Sequence, residues 1–89
     1  MKHAGTEALE RLSPLLVRLR ELPGLSERKP GIFYQGSRAF LHFHEHDGAL
    51  FADVRLDGVE FTRLPCSRRS EQNLLLRRVR DCLETRSRD

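Results

Sequence analysis

SRAFLHFHEHDGALFADVRLDGVEFTRL, running from Ser37 to Leu64, is the stretch that decides how this chain folds. Two Asp-Gly pairs, Asp47-Gly48 and Asp57-Gly58, each separate runs in which apolar and polar residues alternate. Asp-Gly between alternating runs signals a two-residue hairpin turn, because a type I′ turn needs positive φ at both central residues. With Asp47-Gly48 as such a turn, His46 faces Ala49, His44 faces Phe51, Phe43 faces Ala52, His42 faces Asp53 and Leu41 faces Val54. One side of the hairpin then collects Ala39, Leu41, Phe43, Leu50, Ala52, Val54 and Leu56. The other collects Arg38, Phe40, His42, His44, His46, Phe51, Asp53 and Arg55. A slip by one residue would mix the two sets, so the alternation itself selects the register.

Extending outward in both directions lengthens the meander. Gly36-Ser37 reads as a two-residue loop after the short strand Ile32-Phe33-Tyr34, which puts Ile32 and Tyr34 on the apolar face and Phe33 beside Phe40 on the other. Asp57-Gly58, read the same way, places Glu60 opposite Arg55 and puts Val59 and Phe61 on the apolar face. Leu25 to Gly31 reads as a connector.

Both flanks have helical periodicity. Ala8, Leu9, Leu12, Leu15, Leu16, Leu19 and Leu22 fall within an arc of about 140° at 100° per residue, the width of a packed helix stripe. Pro14 interrupts this run on its polar side, giving either one helix kinked between Glu10 and Ser13 or two nearly coaxial pieces. Pro23-Gly24 ends it. After Pro65, residues Ser67 to Ser70 offer N-caps for a second helix with Leu75, Leu76, Val79, Cys82 and Leu83 on one side. The expected fold is therefore α+β, in the order α-β-β-β-β-α: a two-layer sandwich of a four-stranded antiparallel meander with both helices on its apolar face. Its 89 residues form one domain, 1–89, with 1–5 and 86–89 as frayed ends.

Composition excludes several functions. The net charge of +3 is spread over the terminal segments. Residues 65–89 hold seven arginines against four acids, whereas residues 31–64 hold three basic and five acidic side chains. Of Arg68, Arg69, Arg77, Arg78 and Arg80, two (Arg77 and Arg80) have acidic neighbours one turn away, and no aromatic residues are interleaved with the five, so nucleic-acid binding is only a lesser alternative. No apolar run approaches the roughly 20 residues that span a bilayer. No secretion signal opens the sequence, and Cys66 and Cys82 match no metal spacing; together these fit reduced thiols in the cytoplasm. Cys66 beside Arg68 and Arg69 has the surroundings of a lowered thiol pKa. No feature joins Ser, His, Asp and Cys into a catalytic set, and no glycine-rich phosphate loop is present, so the chain reads as non-enzymatic and without a cofactor.

What remains is the polar side of the meander. Phe33, Phe40 and Phe51 there would form an exposed apolar patch, and such patches mark partners. The leading expectation is an interaction domain that forms a homodimer, or takes a protein partner, through Phe33, Phe40, His42, His44, Phe51, Asp53 and Arg55. The alternative is a metal-binding module. His42, His44 and His46 alternate along one strand and so point the same way, with Asp53 across from His42, a donor set that suits zinc. The plain alternative to both is a solvated strand face rich in histidine.

The segments Leu22-Pro23-Gly24-Leu25, Gly36-Ser37-Arg38-Ala39-Phe40-Leu41-His42-Phe43-His44 and Asp53-Val54-Arg55-Leu56, followed by an amphipathic helix, resemble the small uncharacterised bacterial luciferase-domain proteins. The layout is also similar to that of the YjbR-like α+β group. The resemblance spans about residues 15–85. It implies a bacterial cytosolic domain of the same fold, and the luciferase label carries neither light emission nor a flavin. No catalytic residue is implied. The chain departs from the pattern in lacking a tryptophan in its last strand and in having Asp57-Gly58 where a longer insertion stands.

Overall fold

In the computed structural model, which describes residues 2–87, Asp47 and Gly48 take φ of 50° and 80°. This is the backbone of the expected type I′ turn. The flanking strands pair Leu41 with Val54, His42 with Asp53, Phe43 with Ala52, His44 with Phe51 and His46 with Ala49, as the alternation requires. The elements in order are β1 (Lys2–His3), α1 (Thr6–Arg11), α2 (Ser13–Arg20), β2 (Ser26–Lys29), β3 (Ile32–Gln35), β4 (Arg38–His46), β5 (Ala49–Val54), β6 (Thr62–Pro65) and α3 (Arg69–Ser87). Strands β2 to β6 form an antiparallel meander in sequence order, and β1 pairs with β4.

The fold is the expected α+β sandwich. Leu12, Leu15, Leu16 and Leu19 from the first helices and Leu75, Leu76, Val79 and Leu83 from α3 join one buried cluster with Leu41, Phe43, Leu50, Ala52 and Val54 of the sheet. Leu12, with φ −89° and ψ 0°, closes α1 and opens α2. Its N–H reaches the carbonyls of Ala8 and Leu9, and its own carbonyl accepts from Leu16 N–H. Pro14 lies in the first turn of α2, where its missing N–H costs nothing. The interrupted pattern is thus two helices.

Four details of the sequence reading are corrected. The first concerns β2, expected as a connector. Its sequence Ser-Glu-Arg-Lys has no apolar alternation, as befits an edge strand. Glu27 anchors it by accepting hydrogen bonds from Arg20 of α2 and from the N–H of Gly31. Gly31 has φ +77°, and a Cβ there would come within 2.6 Å of Leu9 Cδ2, so the Pro30-Gly31 turn fits closely under α1.

The second is the face taken by Phe33 and Phe40. Tyr34 pairs with Ala39, but Phe33 pairs with Leu41, which leaves Phe40 as an extra residue in β4. A bulge of this kind changes which face the neighbouring side chains take. Phe33 and Phe40 are each 1% exposed and belong to the core.

The third is the last hairpin. Val54 pairs with Thr62 and Asp53 with Arg63, one residue off the register of a two-residue Asp57-Gly58 turn. Asp57 Oδ1 instead accepts from the N–H groups of both Val59 and Glu60, a side-chain cap that lengthens the loop. One residue of slip reverses the faces, so Val59 and Phe61 are exposed instead of buried. The fourth is the amino-terminal segment. Lys2–His3, expected to be frayed, forms β1, and Ala4 N–H donates to Phe43 carbonyl. At the other end α3 runs to Ser87; Met1, Arg88 and Asp89 lie outside the described residues. No helix among the described residues is long and apolar enough to cross a membrane.

Candidate metal centre

Strands β4 and β5 place His42, His44 and Asp53 on the sheet face away from the helices, with His42 directly across from Asp53. One ligand atom from each of the three lies within 4.8 Å of the others. His44 Nε2 is 3.0 Å and His42 Nε2 3.5 Å from the same oxygen, Asp53 Oδ2. Arg63, brought opposite Asp53 by the one-residue slip in β6, holds the carboxylate from its other side. Arg63 Nε donates to Oδ1 at 2.7 Å and Nη2 to Oδ2 at 2.8 Å. The guanidinium keeps the Asp53 carboxyl below its usual pKa range despite partial burial, so the aspartate is ionised.

The two imidazoles differ in their surroundings. His42 has its pKa lowered, first by burial and then by His44, against the opposing pull of Asp53. Phe61 meets the His42 ring edge-on with centroids 4.9 Å apart, and the Arg55 guanidinium lies 4.3 Å from the Phe61 centroid. Arg55 also donates to the carbonyls of Ala39 and Val59, so it serves to hold the β5–β6 loop. The His44 side chain is 12% exposed. Both of its ring nitrogens are buried and make no hydrogen bond among the described residues, although Nε2 lies 3.0 Å from Asp53 Oδ2.

Of the residues expected at a site, His42, His44 and Asp53 come together, with half-buried Phe51 across from His44. His46 does not join them: it lies exposed at the end of β4, 3.3 Å from Asp47 Oδ2. Phe33 and Phe40 leave the surface altogether. Two neighbours were not foreseen. Arg63 was hidden by the register of the last hairpin. His3, on a two-residue strand, has no periodicity to reveal it, yet it pairs with His44 across the β1–β4 ladder.

His42 sets a pH dependence of stability. The depressed pKa of His42 means that the unfolded chain binds a proton there before the folded one does. Stability contributed by neutral His42 is therefore complete above its ordinary pKa of 6.5 and is lost as pH falls below it. Urea midpoints measured from pH 8 down to 5 should fall, and the fall should be shallower in His42→Gln. An equal slope in the variant would place the titrating group elsewhere.

Cys66 lacks the reactive character expected of it. It is fully buried, and burial followed by the charge of Glu71 pushes its thiol up to about 12. Cys82 is partly exposed, with its Sγ donating to the Leu56 carbonyl. A thiol reagent at pH 8 should titrate one cysteine in the folded protein and a second only in denaturant. Rapid reaction of two would contradict the burial of Cys66.

Comparison with protein-family models, with curated protein sequences and with solved structures gives no match.

Proposed function

We propose that the chain is a small binding module that takes a divalent transition-metal ion of the zinc class at His42, His44 and Asp53. The observation that carries this reading is the state of His44. A neutral imidazole presents one N–H and one lone pair, and leaving such groups buried and unsatisfied costs about 1–3 kcal/mol each. A metal ion on one ring nitrogen turns that deficit into a bond. The donor chemistry agrees with the choice of ion, since imidazole nitrogen with a carboxylate oxygen suits zinc better than magnesium or calcium. The lowered pKa of His42 keeps its nitrogen available for coordination at neutral pH.

Zinc chloride added to chelator-treated protein tests the reading. At a free concentration 100-fold above Kd, binding to the native state adds about 2.7 kcal/mol, or roughly 10–20 °C in the melting temperature of a domain this size. His42→Ala should abolish the rise; an unchanged midpoint in the unsubstituted protein would refute the site.

A second reading, self-association or partner binding through the same face, is favoured by one feature. The β5–β6 loop leaves Val59 and Phe61 exposed, with Phe61 against the His42 ring. Native mass spectrometry of the same samples separates the two, since a metal-free dimer supports the surface and a zinc-loaded monomer supports the site.

A further inference from the structure

Resting on the reading of His42 and His44 as ligands, we propose that His3 supplies a third imidazole to the same ion, so that metal binding fastens β1 onto β4. The rings of His3, His42 and His44 form a compact triangle. Their centroids are 4.8 Å apart for His3 and His44, 4.8 Å for His42 and His44, and 5.7 Å for His3 and His42.

A common ion requires a triangle of about this size. With a Zn–N bond of about 2.0–2.1 Å, the centre of an imidazole bound through Nε2 lies about 3.2 Å from the metal; two such rings at the tetrahedral angle then have centres about 5.2 Å apart. The three observed separations fall on both sides of that value. Asp53 completes a set of three nitrogens and one oxygen, the coordination number of a closed tetrahedral site. His42 and His44 are held on the central strand of the sheet. His3 is exposed, and its ring can turn about its own side-chain bonds to present a nitrogen.

The attachment of β1 gives the third ligand a structural consequence. Two residue pairs, Lys2 with Glu45 and His3 with His44, and the hydrogen bond from Ala4 N–H to Phe43 carbonyl join this strand to β4. So short a ladder is marginal alone in water. A bond from His3 to an ion held by His42 and His44 ties it across the sheet face. The ion then sets whether the start of the chain lies on the sheet or away from it.

The test uses zinc chloride with the full chain and its His3→Ala, His3→Cys and His42→Ala variants. Calorimetry should show zinc affinity lowered about 10- to 100-fold in His3→Ala. His3→Cys, which offers a thiolate in place of the imidazole, should recover much of it. Hydrogen exchange at the Ala4 amide should slow at least tenfold on zinc addition in the unsubstituted chain and stay unchanged in His3→Ala. If His3→Ala binds zinc as the unsubstituted chain does while His42→Ala does not, the third ligand is refuted and the site of His42, His44 and Asp53 stands. If the unsubstituted chain binds no zinc, both readings fall together.

Discussion

Phe40→Asp is expected to abolish folding, whereas Phe61→Asp in the β5–β6 loop should leave the domain folded. Phe40 is the extra residue at the irregularity between β3 and β4 and is 1% exposed. Removing a buried phenylalanine side chain costs about 3–5 kcal/mol through lost transfer energy and the cavity left behind. An unpaired carboxylate in that position adds a desolvation penalty of several kcal/mol. Together these fall within the about 5–15 kcal/mol by which native proteins are stable, enough to unfold a domain of this size. Phe61 is 37% exposed and contributes chiefly its contacts with His42 and Arg55, so its loss should cost about 1 kcal/mol or less. Circular dichroism melts of the two variants make the comparison. A cooperative, native-like transition in Phe40→Asp would show that this side chain lies outside the core and that the β3–β4 register is wrong.

Asp53→Ala should eliminate zinc binding, and Arg63→Ala should strengthen it. Asp53 is the group on which both imidazoles and the guanidinium converge. Its removal takes away the anionic ligand and leaves cation and imidazoles facing one another, with a loss of affinity of more than 100-fold. Arg63 occupies part of the carboxylate in the absence of metal and places a positive charge beside an incoming dication. Its side chain is 46% exposed, so solvent screens this repulsion to well below its interior value, and about a tenfold gain in zinc affinity is expected when it is removed. Without metal the same variant should be less stable, because the partly buried Asp53 loses its bidentate partner. Calorimetry with zinc chloride and metal-free melts of each variant give both quantities. Weaker binding in Arg63→Ala would mean that the arginine orients the aspartate for coordination instead of competing for it.

The central hairpin was legible because each face of Arg38–Val54 has its own residue class, which leaves one register that buries the apolar set. The helices were legible for the same reason at a period of 3.6. Legibility failed where side chains replaced pattern. Asp57 looks like a turn residue in the sequence, but its carboxylate binds two N–H groups ahead of it and lengthens the loop by one residue. That slip turned Phe61 outward against His42 and brought Arg63 to Asp53, so an error of one position concealed two neighbours of the candidate site. Phe40 was misread because period-2 counting has no means of registering an extra residue within a strand. β2 was missed because it is held by Glu27 with Arg20 and Gly31, not by apolar alternation. Of the site itself, His42, His44 and Asp53 needed only the hairpin, while His3 needed the tertiary structure.

The division of the first helical segment at Leu12 bears on the order in which the chain acquires structure. Helices of six and eight residues are far shorter than the about 12–15 at which an isolated helix becomes even marginal in water. Neither α1 nor α2 can persist until Leu15, Leu16 and Leu19 have a surface to cover. That surface is the meander of β3, β4 and β5, whose turns close over two residues and whose pairings are local in sequence. The helical segment that precedes the meander in the chain is thus the part that must wait, and the sheet is the template on which it becomes helical.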